Sequence, residues 1–133
     1  MAALMRFLSW IGPLAGIGAM ALGLLHWFLH ISFLELHILF GSVVTLALLA
    51  SGVVALFTRG LRAMGVLALV CAFIVPAFGM AQMQLLVGEL HWLVRVAHLL
   101  VGAAAVGLTE RICGRYAQLR QRRGADEPAA QAS

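Results

Sequence analysis

The chain has 133 residues, 63% of them hydrophobic and 11% charged, with a mean hydropathy of +1.02. That balance excludes an ordinary soluble domain and predicts a chain that lives in a lipid bilayer. The formal net charge of +4 comes from nine arginines, no lysine and five acids; spaced as they are, the arginines read as topology and lipid contact, and no nucleic-acid partner is needed to explain them.

A spanning helix needs about 20 apolar residues, and four stretches qualify, at about 7–27, 33–57, 64–86 and 90–110. No alternating pattern suited to a closed barrel is present. The expected fold class is therefore all-α: an integral membrane four-helix bundle in up-down-up-down order over residues 1–112. A basic juxtamembrane segment and a disordered cytoplasmic tail are expected over 113–133.

The first stretch follows Arg6 and carries a row of small residues, Gly12, Ala15, Gly16, Ala19 and Gly23. Such a row lets helices approach closely in lipid. "GAMALG" within it offers a signal-peptidase site, but the run is longer than a signal core and resembles the third stretch, so it is read as a retained helix. Trp10, Trp27 and Trp92 read as interfacial anchors, with His26 and His30 flanking Trp27.

The second stretch opens on Ser32 and Glu35, the S-x-x-E pattern of a capping box, which makes Glu35 a helix-start device. Deeper lie His37, Gly41 and a second small row, Ala47, Ser51 and Ala55. Arg59 and Arg62 separate it from the third stretch, where "PAFG" at 76–79 repeats the Pro-x-x-Gly of "PLAG" at 13–16. The fourth carries His91, Arg95, His98 and Gly102, then Arg111, Arg115, Arg120, Arg122 and Arg123. Cys71 and Cys113 both fall toward the arginine-rich end, where a disulfide is not expected.

"HISFLELHILFG" at 30–41 and "HWLVRVAHLLVG" at 91–102 share one skeleton, His-x6-His-x3-Gly. With the Pro-x-x-Gly match, it makes the second helical hairpin read as a diverged copy of the first. Seven residues advance a helix ~10.5 Å and return to nearly the same face. His30 and His37 share a face if the second helix begins early, as His91 and His98 do on the fourth, and Gly41 and Gly102 lie one turn deeper. In an up-down-up-down bundle the second and fourth helices run parallel, so His37 and His98 face each other at matched depth. The arginine asymmetry puts both termini in the cytoplasm and the histidine end outside.

On His37, Gly41, His98 and Gly102 the chain resembles the membrane-embedded b-type cytochromes, whose haem is held between histidines on facing helices of a four-helix bundle. The resemblance implies one haem b, with His37 and His98 as iron ligands, Gly41 and Gly102 making room for the porphyrin, and electron transfer with membrane quinol in the bacterial inner membrane. Two-haem members carry their histidines farther apart along each helix, so only one haem is expected here. His30 and His91 then become quinol or propionate contacts, and Arg95 suits a propionate or a quinone headgroup. No Cys-x-x-Cys-His is present for covalent haem attachment. The expected protein partner is a larger membrane complex or a second copy.

Each of these residues also has a plainer role. His37 and His98 would hydrogen-bond across helices to Gln82 or Gln84, Arg95 would pair with Glu89 or snorkel, and the chain would then be a haem-free accessory or assembly subunit of a respiratory or photosynthetic complex. A copper site from His26, His30 and His91 with Met80 or Met83 is a further reading, since imidazole and thioether suit copper.

Overall fold

The computed structural model describes the backbone of residues 1–31 and 33–131, with side chains to residue 125. Four α-helices account for nearly all of it: α1 (Ala2–Leu29), α2 (Leu34–Leu56), α3 (Arg62–Ala81) and α4 (His91–Gln131). A single 3-10 turn, Gln82–Gln84, extends α3. Each helix contains a window apolar enough to cross a membrane, with mean hydropathy between 1.6 and 2.3. Even α3, the shortest at 20 residues, reaches about 30 Å at 1.5 Å per residue, enough for a hydrocarbon core of roughly 30 Å. The protein is a multi-pass membrane protein, all-α, folded as a four-helix bundle.

Short connections force neighbouring helices to run antiparallel. Gly60 and Gly88 stand at φ +87° and +108° in the two later connections, a region where a side chain is strained. In the first connection His30 itself takes the left-handed conformation, φ 56°, and caps the end of α1. This corrects one expectation: His30 does not share a helix face with His37, because α2 starts only at Leu34. The left-handed residue ends one helix before the next begins. Of the expected capping box, Ser32 lies outside the described residues, and the N-cap of α2 is Phe33 without a side-chain cap bond.

The helix α4 passes residue 112 without a break, and its backbone is helical to Gln131.

Packing is uneven along the bundle. The buried core is built from Met5, Leu8 and Ala15 on α1, Val44 to Ala55 on α2, Leu61 and Ala68 around the start of α3, and Ala105, Ile112 and Cys113 on α4. Apart from Val44 at mid-helix, all of these lie in the half nearer the arginine-bearing ends. There the small-residue rows let backbones meet: a Cβ on Gly12 would touch Thr109 and Ala47, one on Gly16 would collide with Val106, and one on Gly65 would sit 2.7 Å from Leu56 N and 2.9 Å from Gly52 O. The two buried hydroxyls satisfy themselves within their own helices, Ser51 donating to Leu48 O and Thr109 to Ala105 O, as membrane helices require. In the other half, Val94 is the one buried large apolar side chain among the described residues.

The cross-section is a rhombus. Among the described residues α2 and α4 touch across the bundle, whereas α1 and α3 do not. The short diagonal therefore joins the two helices that carry His37 and His98.

Candidate functional site: a histidine pair on the short diagonal

Both histidines come from the first two turns of their helices. His37 lies three residues into α2 and His98 seven residues into α4, so both reach into the less tightly packed half. Their rings stand 6.0 Å apart between centroids, tilted by 47°. Phe78 of α3 closes one side, its ring centroid 5.8 Å from that of His98.

Each ring lies against a glycine of the neighbouring helix. A Cβ on Gly23 of α1 would stand 3.5 Å from His37 Cε1, and one on Gly79 of α3 would stand 3.3 Å from His98 Cε1. The small row of α1 thus has two uses: its first residues close the core, and Ala19 and Gly23 accommodate an imidazole. Sequence reasoning assigned both to helix packing and missed the contact, and the row's length beyond the core-forming residues was the available signal. Gly41 and Gly102 differ, since a Cβ at either would meet nothing within 4 Å. They border open space one turn deeper than the pair.

Hydrogen bonding distinguishes the two rings. His37 Nδ1 lies 2.9 Å from Ala19 O, and because a carbonyl only accepts, Nδ1–H is the donor and Nε2 of the neutral ring carries the lone pair. His98 Nδ1 is buried with no hydrogen-bond partner, so neither Gln82 nor Gln84 supplies one to that atom. A buried imidazole nitrogen without a partner is uncommon enough to need a reason.

The remaining candidates are dispersed. His91 Nδ1–H donates to Leu85 O at 3.2 Å, fastening the start of α4 to the preceding connection. His30 and Arg95 are exposed. His26, His30 and His91 do not gather: among the described residues no group of three or more His, Cys, Asp or Glu could hold a metal ion, and Met80 and Met83 are exposed. The copper reading therefore loses its ligand set. Cys71 and Cys113 are free thiols.

The chain has no match among protein-family models, curated proteins or solved structures.

Proposed function

We propose that the chain is a small b-type cytochrome of the bacterial inner membrane, binding one haem between His37 and His98 and passing electrons between membrane quinol and a protein partner. The observation that carries this reading is the 6.0 Å separation of the two rings on the short diagonal. Two metal–nitrogen bonds of roughly 2 Å each account for about two thirds of that distance, and two half-rings of imidazole fill the rest. The two imidazoles would hold the iron of a haem between them, with their 47° tilt as it stands.

Two further features fit and one does not. His37 gives its Nδ1 proton to a backbone carbonyl, the second bond that metal-ligating histidines usually make, and this leaves Nε2 free. His98 lacks this second bond, its buried Nδ1 having no protein partner. Open space beside Gly41 and Gly102, in the half without a closed core, suits a flat apolar group. Bound there, haem b supplies reversible one-electron chemistry; the chain's residues orient the ligands and exclude water.

Arg59, Arg62 and the arginines of the second half of α4 favour a cytoplasmic location for both termini and the α2–α3 connection, by the positive-inside rule. The histidine end then faces the periplasm. Arg95, three residues before His98 and exposed, is suited to a carboxylate or a quinone carbonyl, with His30 and His91 farther out.

A second reading has one observation in its favour. The His37–Ala19 bond already fastens α2 to α1, so the histidine could serve a haem-free accessory subunit. Expression with ample haem and purification in mild detergent separates the two: a Soret band at one haem per chain supports the cytochrome, and a colourless protein supports the accessory subunit.

A further inference from the structure

At the arginine end, away from the histidine pair, α4 lines two adjoining recesses. One is bordered by Gly60 and Leu61 of the α2–α3 connection and by Arg115, Gln118 and Arg122. The other shares Arg115 and Gln118, adds Arg111, and has an apolar floor of Met64, Leu67 and Leu108 beside Gly114. At ~100° per residue, Arg115, Gln118 and Arg122 all fall within about 40° of Arg111. The result is a polar stripe over an apolar floor. Glu110 is the only carboxylate in the sequence between Glu89 and Asp126, and it lines neither recess.

We infer that this double recess binds one anionic phospholipid, its phosphodiester held by Arg115 and Arg122 and its acyl chain laid over Met64, Leu67 and Leu108. Guanidinium suits phosphate because it donates two parallel hydrogen bonds to a pair of oxygens. A cleft at the membrane boundary combining cationic and apolar walls matches a lipid at both ends, whereas a soluble anion would use only the cationic part. Gly114 is central to the fit: a Cβ there would meet nothing within 4 Å, so the space beside it is open to a chain of methylenes. Arg120 and Arg123, at roughly 180° and 120° from Arg111, serve as an internal control.

The test uses the full chain, purified in non-ionic detergent and titrated with phosphatidylglycerol or phosphatidylcholine, with retained lipid counted by native mass spectrometry. Phosphatidylglycerol should be retained in preference to phosphatidylcholine. Arg115→Gln with Arg122→Gln should weaken that retention about tenfold or more, while Arg120→Gln with Arg123→Gln, the same loss of charge, should leave it nearly unchanged. Gly114→Leu keeps every arginine and fills the acyl space, so it should weaken retention even if the arginine variants fold poorly. Equal retention of the two lipids, equal losses from the two arginine pairs, or no effect of Gly114→Leu would overturn the assignment. Full displacement by inorganic phosphate would also overturn it, by showing that the anion alone is the ligand.

Discussion

Gly79 of α3 backs directly onto the ring of His98: a Cβ built on that glycine stands 3.3 Å from Cε1. The neighbour would have to yield to any side chain there, and His98 is the neighbour. Gly79→Leu should therefore displace the imidazole and abolish haem binding while the chain still inserts, because leucine is favourable in a membrane helix. The check is haem per inserted protein, by absorbance against quantitative immunoblot. Retention of full haem would show that the ring does not depend on this glycine.

Gly102→Leu should act by a different route. A Cβ on Gly102 meets nothing within 4 Å, so the bundle itself should tolerate the side chain. If a porphyrin uses that space, haem is lost with little change in thermal stability measured without haem. A variant that keeps its haem would move the porphyrin elsewhere.

Gly65 tests the tightly packed half. Its Cβ would lie 2.7 Å from Leu56 N and 2.9 Å from Gly52 O, and backbone cannot rotate away. Gly65→Ala should destabilise the bundle by about 1–3 kcal/mol, the usual cost of overpacking, lowering the unfolding midpoint in detergent. An unchanged midpoint would mean that α2 and α3 separate without cost.

Topology follows from the arginines. A reporter active only outside the cytoplasm should be silent when fused at residue 133 or near Gly60 and active near residue 30 or 88. Activity at the C-terminus would reverse the orientation.

His30 and His91 should be dispensable for haem retention, since His30 ends α1 and His91 is bonded to Leu85 O. Alanine at either position should leave the haem bound, with an effect confined to quinol turnover or redox potential. Complete haem loss from either variant would transfer the ligand role to the outer histidines.

The four spans were legible because twenty apolar residues in a row have few alternatives in lipid. Matched depth for His37 and His98 was legible too, from the repeat and antiparallel connectivity. The rhombic cross-section was not: whether α2 meets α4 or α1 meets α3 depends on which small residues interlock, here Gly12 and Gly16 against Thr109 and Val106. The contacts of Gly23 and Gly79 with the histidines depend on the same helix rotations, which a hydrophobic pattern without a polar face does not specify. His30 was misplaced because a left-handed histidine at a helix end has no clear signature, unlike glycine.

The most direct measurement of the central claim is the absorption and electron paramagnetic resonance spectrum of the protein purified from haem-replete cells, compared with His37→Ala and His98→Ala. The account predicts one low-spin, six-coordinate haem per chain, converted to high spin or lost in each variant as one axial nitrogen is removed. A wild-type protein that binds no haem, or a low-spin spectrum that survives loss of both histidines, would contradict it.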